Sequence, residues 1–402
     1  MFLRHILRHA ATILLVLGAP LVHATTAPDA AVKVNVTHVA KDSWRVDYQF
    51  PQAVTAIKLA KVGEYRATAW NILTPRMRMT TDAELDVISL GGKPFRTLSV
   101  EIGRYNGKLQ KFYAPFNGFT DGGVALFLGH LQGDVQRGKQ SAAMSTDIRL
   151  TGLGQENVIA PPLNKLAPGG ERGYAYFGPA KPYRSGTTVF LIDPQTPDWA
   201  RETVLDTGAA MGRYYEKAYQ RRLQDEMFVM VGIVGFDAPG LSLNGGAVLG
   251  QLAYRFEGKQ LIGDHPKKRE LLTKIVAHEM AHLWQMNVER GGVGGDNPWI
   301  HEGGAEAMAL EALQQTGLWS TEQITAYRAA QRASCDKLGD TVTSYEGIYA
   351  CGLTRFDKLG VDIVALWRAM IVATEVKGDP YSQEMIEAIV ASQGSSLATS
   401  LT

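Results

Sequence analysis

The 402-residue sequence is poor in cysteine and in net charge. It contains only two cysteines, Cys335 and Cys351, so a network of disulfide bonds does not hold a chain of this length together. The formal net charge is +1, and charged residues are spread along the chain rather than gathered in runs. We therefore expect no nucleic-acid partner and no polyanionic ligand.

Long hydrophobic runs are also missing after the first 24 residues, and spanning a bilayer takes about 20 apolar residues. Residues 1–24 combine a basic start, MFLRHILRH, with a short apolar run, AATILLVLGAPLV, and a small residue at Ala24. This pattern is typical of a secretory signal peptide that is cleaved after Ala24. We expect a mature protein that is exported, periplasmic or secreted, without stable insertion in a membrane.

The chain length is compatible with two or three domains. Over residues 25–151, short segments rich in Val, Ile, Phe and Tyr alternate with turn residues. They predict a β-rich N-terminal domain, built as an antiparallel sandwich. Residues 152–173 are rich in proline and glycine and predict a linker.

Residues 174–392 predict a second domain, with a sheet over 174–257 and helices over 266–392. EMFVMVGIVGF is predicted as a buried strand and GGAVLGQLAYRF as its hairpin partner. Small polar residues over 393–402 predict a flexible tail. The order of strands followed by helices predicts an α+β fold. The helical patterns cover 267–289, 302–316, 321–337, 345–373 with a break, and 381–392.

The stretch VAHEMAHLWQ, residues 276–285, carries the strongest chemical signal. On a helix, His278 and His282 lie one turn apart on the same face, where one metal ion can bind both. Glu279 lies beside them and can take a proton from a water that the metal activates. This is the H-E-x-x-H arrangement of two zinc ligands and a general base. A chance match on a helix with polar residues is the alternative interpretation.

A second motif follows in NPWIHEGGAE, residues 297–306, where Glu302 comes 302 − 282 = 20 positions after His282. The two motifs together resemble the gluzincin metallopeptidases, most closely the M1 aminopeptidase and M61 glycyl aminopeptidase families, whose second segment reads W-[LI]-x-E-G-x-A-E. The resemblance implies a thermolysin-like catalytic domain with one Zn²⁺ per chain, bound by His278, His282 and Glu302. The spacing is one residue longer than is usual in M1, and residues 291–297, GGVGGDN, can hold the extra residue.

The sequence allows more than one role for each of two residues near Glu302. His301 stands where the family usually has asparagine and is a rival metal ligand. Glu306 lies one turn further along the helix. It either orients His278 or His282 from behind or is a plain surface carboxylate.

M1 enzymes also carry Y-x-K-G-A at the start of a later helix, with the tyrosine hydroxyl aimed at the oxyanion of the reaction. SYEGIYA, residues 344–350, resembles that pattern with Tyr345 in the tyrosine position, although Glu346 precedes the glycine where the family has lysine. Tyr349, one turn further, is the second candidate. Both rings could instead simply pack.

LNGGAVLG, residues 243–250, takes the place of the M1 substrate-binding segment G-A-M-E-N. Its residues Gly245, Gly246 and Ala247 would allow the backbone to approach an extended peptide. The segment lacks the acidic residue with which the family holds a free amine. The choice between exopeptidase and endopeptidase action stays open for this reason.

The resemblance implies an exported zinc metallopeptidase that hydrolyses peptide or protein substrates, with Glu279 as general base. Two alternatives are a non-catalytic binding protein on a peptidase fold and a zinc hydrolase of a non-peptide amide or ester. The sequence gives no indication of an oligomeric state. Cys335 and Cys351 fall in helical segments joined by a short loop, which favours a disulfide between them.

Overall fold

A computed structural model describes residues 31–105, 107, 109, 113–160, 173–185, 188–223, 226–248, 250–286, 297–377 and 381–399. Several predicted features lie outside these residues: the signal peptide over 1–24, most of the linker over 161–172, the glycine-rich residues 291–296 and the last three residues of the tail.

The strands and helices follow one another in the order that the sequence predicts, with strands first and helices last. The strands are β1 (Val32–Ala40), β2 (Ser43–Val54), β3 (Ala56–Ala60), β4 (Trp70–Ile72), β5 (Arg78–Thr81), β6 (Leu85–Ser89), β7 (Phe95–Gly103), β8 (Phe116–Gly118), β9 (Val124–Phe127), β10 (Asp134–Arg137), β11 (Gln140–Ala143), β12 (Thr146–Thr151), β13 (Asn157–Ile159), β14 (Tyr174–Gly178), β15 (Tyr183–Ser185), β16 (Thr188–Ile192), β17 (Met227–Gly235), β18 (Ser242–Val248) and β19 (Gln251–Glu257). The helices are α1 (Tyr65–Ala69), α2 (Asp198–Tyr219), α3 (Pro266–Met286), α4 (Pro298–Gln315), α5 (Thr321–Lys337), α6 (Tyr345–Leu359), α7 (Ile363–Lys377) and α8 (Gln383–Thr399).

The N-terminal region is β-rich, as predicted, and contains two five-stranded sheets in the orders β12-β1-β2-β7-β4 and β11-β10-β3-β6-β5. Alternating burial along β1 and β2 directs one face of the first sheet inward. Val34 and Val46 of that sheet share one apolar core with Ile57 of the second. Most pairings are antiparallel, but β1 and β12 are parallel, so the arrangement is not a purely antiparallel sandwich.

A four-stranded sheet in the order β13-β14-β9-β8 corrects the predicted linker and domain boundary. Asn157–Ile159 forms β13, although the whole of 152–173 is predicted as a linker. Strand β14 pairs with β9 of the N-terminal region rather than with the sheet that follows it. Every residue of β14 is buried between its partners β9 and β13.

The second sheet region has the order β15-β16-β17-β19-β18. The predicted hairpin between β17 and β19 is wrong, because these strands are parallel. Strand β18 intervenes and forms the hairpin with β19, through a tight turn in which Gly250 has a φ of 70°. As a result β18 is the edge strand, and it packs against α3.

The helices agree closely with the predicted segments. The break predicted within 345–373 lies at Gly360, which ends α6 in the left-handed conformation. Helix α8 continues through Thr399, whereas a flexible tail is predicted from residue 393. The segment SQGSSLAT contains no proline, so it holds no residue that must end the helix.

An apolar layer joins the N-terminal region to the back of the mixed sheet. Phe119, Phe127 and Tyr176 pack there against Met230 and Val248. The predicted α+β class is confirmed. Among the described residues, no helix combines the length and the apolar character needed to cross a membrane.

Candidate metal centre

The centre lies between α3 and α4, on faces that the sequence makes apolar around a few polar side chains. Both histidines of the H-E-x-x-H motif are only 4% exposed. The backbone of Gly303 on α4 is so close to Gly352 on α6 that a Cβ built on Gly352 would lie 2.9 Å from Gly303 Cα. These two glycines allow α6 to pack directly on α4, beside the histidines.

Three predicted ligand atoms converge in this space. His278 Nε2 lies 3.0 Å from His282 Nε2 and 3.1 Å from Glu302 Oε2. His282 Nε2 lies 3.3 Å from the same carboxylate oxygen. Atoms bound tetrahedrally at about 2.1 Å from zinc are about 3.4 Å apart. The three atoms thus have the spacing that zinc ligands require.

Gln285 fixes the tautomer of His282. Its amide nitrogen donates to the main-chain carbonyl of His301 at 3.0 Å, and its amide oxygen lies 2.7 Å from His282 Nδ1. A carbonyl can only accept, so the amide has one possible orientation and its oxygen must accept the proton of Nδ1. The lone pair of His282 Nε2 is therefore directed at the ligand cluster.

Glu306 contacts the other histidine from behind. Its carboxylate lies 3.3 Å from His278 Nδ1, forms an ion pair with Lys274, and accepts a hydrogen bond of 3.1 Å from the Tyr327 hydroxyl. Burial raises the pKa of Glu306, but Lys274 and His278 outweigh burial and lower it to about 2. The charged carboxylate favours a proton on His278 Nδ1, which leaves Nε2 available for a metal. Glu306 is thus a buried group and not a surface carboxylate.

The electrostatics of the cluster favour a cation. Burial lowers the pKa of His278, but Glu306 and Glu302 outweigh burial and raise it to about 9. Burial raises the pKa of Glu302, but His278 and His282 hold it far below its usual range. Two imidazole nitrogens and a carboxylate that converge in a buried space form the donor set of a His₂Glu zinc site, so these residues fit zinc.

His301, the rival ligand, is engaged elsewhere. Its Nδ1 lies 2.8 Å from the Tyr381 hydroxyl, and its ring stacks on His282 with the centroids 4.1 Å apart. Burial, followed by the neighbouring His282, lowers its pKa well below the usual value. In the described part of the chain, the metal-compatible group that contains the two motif histidines includes Glu302 and not His301.

Glu279 is half-buried, follows the ligand His278 on α3 and lies close to Gly245 of the edge strand β18. A Cβ built on Gly245 would lie 3.6 Å from Glu279 Cγ and 2.5 Å from Tyr254 Cδ1. The ring of Tyr254 therefore occupies the space of a side chain at position 245. Glycine at position 245 therefore fits beneath the Tyr254 ring, and the main chain of β18 lies in ordinary contact distance of Glu279.

The structure reverses the order of the two tyrosine candidates. Tyr345 is 74% exposed at the start of α6. Tyr349 is half-buried, with its ring centroid 5.6 Å from that of His278. Burial, followed by Glu302, Tyr345 and Glu279, raises the pKa of the Tyr349 hydroxyl. Of the two candidates, Tyr349 is therefore the one whose pKa is raised by the negative charges of Glu302 and Glu279.

The sequence contains a signal for Tyr349 that the predicted register missed. YACGL, residues 349–353, keeps the tyrosine and the glycine of Y-x-K-G-A at the same spacing, with Cys351 in place of the lysine and Leu353 in place of the alanine. The close contact between the backbones of Gly352 and Gly303 explains why a glycine is needed at position 352.

The predicted disulfide is present next to this segment. It joins Cys335 of α5 to Cys351 of α6, with the Cα atoms 4.8 Å apart. The bond anchors α6 two residues after Tyr349.

Comparison with known proteins supports the fold. No protein-family model matches the chain, and no curated protein sequence matches it. Among solved structures, the chain is similar to an aminopeptidase N family protein from Idiomarina loihiensis, with a TM-score of 0.55 and 10% sequence identity. The match covers 85% of this chain and 70% of that one. At this identity the likeness shows a shared fold and nothing finer.

Proposed function

We propose that the protein is a zinc-dependent metallopeptidase whose gluzincin-type, thermolysin-like catalytic domain follows β14 and includes the sheet of β15 to β19 and the helices α2 to α8. One observation carries the proposal: His278, His282 and Glu302 converge with zinc-ligand spacing, next to a carboxylate that faces an open strand edge. The similar fold of an aminopeptidase N family protein supports it. The signal-peptide pattern of residues 1–24 supports export.

In this proposal, each residue of the site has a separate role in the reaction. Zinc bound by the His₂Glu set would polarise the scissile carbonyl and acidify the attacking water. Glu279 accepts the proton of that water and passes it to the leaving amine. Tyr349 donates a hydrogen bond to the oxygen that becomes negative. Strand β18 presents its open edge around Gly245 and Gly246, where an extended peptide can add as a further strand.

The test separates metal binding from catalysis. In dialysed protein, His282→Ala and Glu302→Ala should lose zinc, whereas His301→Ala should keep it. Glu279→Gln should keep zinc and lose turnover by about 100-fold or more, since it preserves shape but cannot act as a base. Zinc content is measured by mass spectrometry and turnover with a peptide library.

The opposite results would identify the alternatives. Loss of zinc in His301→Ala together with full zinc in Glu302→Ala would change the third ligand. Peptide binding by the zinc-loaded wild type without turnover would support a non-catalytic binding protein. Turnover of esters or non-peptide amides alone would support a different zinc hydrolase.

A further inference from the structure

The open edge of β18 differs between its two ends. At Gly245 the strand is exposed and lies next to Glu279. At Ala247, two residues further on, the Tyr113 hydroxyl donates to the main-chain carbonyl at 2.7 Å. A Cβ built on Gly246 would lie 3.3 Å from the Tyr113 ring. The edge is thus accessible beside Glu279 and covered beside Ala247.

The same side of the strand is involved at both positions. Residues along a strand of an antiparallel pair direct their main-chain groups alternately toward the partner strand and away from it. Ala247 accepts from Tyr113, which lies outside the sheet, so its carbonyl faces the open edge. Gly245 directs its main-chain groups the same way. A peptide that pairs with Gly245 therefore runs into Tyr113.

Tyr113 packs against buried aromatic residues in this place. Its ring packs on Phe127 with the centroids 4.7 Å apart. Phe127 is buried in the apolar layer between the N-terminal region and the mixed sheet. Gln251 of β19 bonds both main-chain groups of Tyr174 in the same layer, at 2.5 and 3.0 Å. Tyr113 and the sheet it touches are thus parts of one packed unit.

We propose that Tyr113 is a specificity-determining residue that closes one end of the substrate cleft. This inference rests on the proposed function. Strand residues are spaced by about 3.4 Å, so Tyr113 stands about 7 Å along the edge from Gly245. On that side of the scissile bond, a substrate has room for one or two residues. The enzyme selects peptides near a chain end by this steric stop. Strand β18, SLNGGAV, supplies no acidic residue that could hold a free amine there.

Binding of hydroxamate probes to the zinc-loaded protein tests the inference without requiring turnover. Peptidyl hydroxamates extend from the metal only toward the amino side of a substrate, and succinyl hydroxamates only toward the carboxyl side. Each series is lengthened one residue at a time and its Kd is measured by calorimetry. In the wild type, one series should lose affinity by about tenfold when it passes two residues, whereas the other should not.

Variants test whether Tyr113 causes the loss of affinity of the longer probes. Tyr113→Ala should abolish the loss of affinity in the restricted series, and Tyr113→Phe should keep it, because the ring remains. Tyr183→Ala, on the opposite edge strand β15, is the matched control and should behave as the wild type. Equal length dependence in both series, or a limit that persists in Tyr113→Ala, would overturn the inference. Failure of short peptides to be hydrolysed while the probes still bind would count against the proposed function alone.

Discussion

At the scale of single residues, some side chains of the metal centre can be predicted from the sequence and others cannot. His278, Glu279 and His282 could be predicted because the helix period alone brings them to one turn. Gln285 could not, because its role comes from an amide bound to a carbonyl on another helix. Nothing in the spacing of the motif requires a glutamine at that position.

Gln285 offers a prediction about metal affinity. Gln285→Leu should weaken zinc binding by about 10- to 100-fold, because Nδ1 of His282 loses the acceptor that fixes its tautomer. Competition with a chelator of known affinity at fixed pH measures this change. Gln315→Leu, on the exposed surface of α4, is the matched control. Equal zinc affinity in both variants would show that Gln285 has no such role.

The two tyrosines offer a prediction about the chemical step. A hydroxyl that donates only to the developing oxyanion lowers the barrier without tightening ground-state binding. Tyr349→Phe should therefore lower kcat by about 100- to 1,000-fold, with KM and zinc content little changed. Tyr345→Phe is the control, since its ring is exposed. A large loss of kcat in Tyr345→Phe and none in Tyr349→Phe would restore the register that the sequence first suggested.

At the scale of elements, α6 is the helix whose position matters most for the site. Two contacts fix it: the backbone approach of Gly352 to Gly303 on α4, and the disulfide from Cys351 to Cys335 on α5. The disulfide could be predicted from two helical segments with a short loop between them. The glycine contact could not, because a glycine within a helix has no periodic pattern that reveals its neighbour.

Removal of the disulfide should destabilise the protein. The bond closes a step of 16 residues, so replacing Cys335 and Cys351 by alanine should lower the free energy of unfolding by about 3 kcal/mol. Denaturant titration under non-reducing conditions measures the loss. Reduction of the wild type should reproduce it, and reduction of the double variant should have no effect. Two free thiols in unreduced, denatured wild type would show that the bond does not form.

At the scale of the whole molecule, composition and strand order could predict the α+β class and the sequence of elements. They could not predict which sheet each strand joins. The apolar pattern of β14 is compatible with either the N-terminal sheets or the mixed sheet that follows. Its pairing with β9 depends on contacts between residues that are far apart in the sequence. For the same reason, two apolar segments that follow each other in the sequence predict a hairpin, although β17 and β19 pair in parallel.

The composition of the edge strand β18 gives a prediction about substrates. No acidic side chain lies in β18 to bind a free amine. An N-acetylated peptide should therefore be cut about as fast as the same peptide with a free amino terminus. Mass spectrometry of the products of the matched pair measures this. Strict removal of single residues from free amino termini would mean that a carboxylate outside β18 holds the amine.

The pairing of β14 with β9 affects how the chain can be divided. Residues 174–178 fill a place in a sheet whose other strands are complete before residue 160. A ribosome making this chain must release β14 before that sheet can close, so the N-terminal region matures only after the next segment has been synthesised. A recombinant fragment that stops in the predicted linker would leave the edge of β9 bare and the buried site of Phe177 empty. Cloning boundaries for the N-terminal region therefore belong after Gly178.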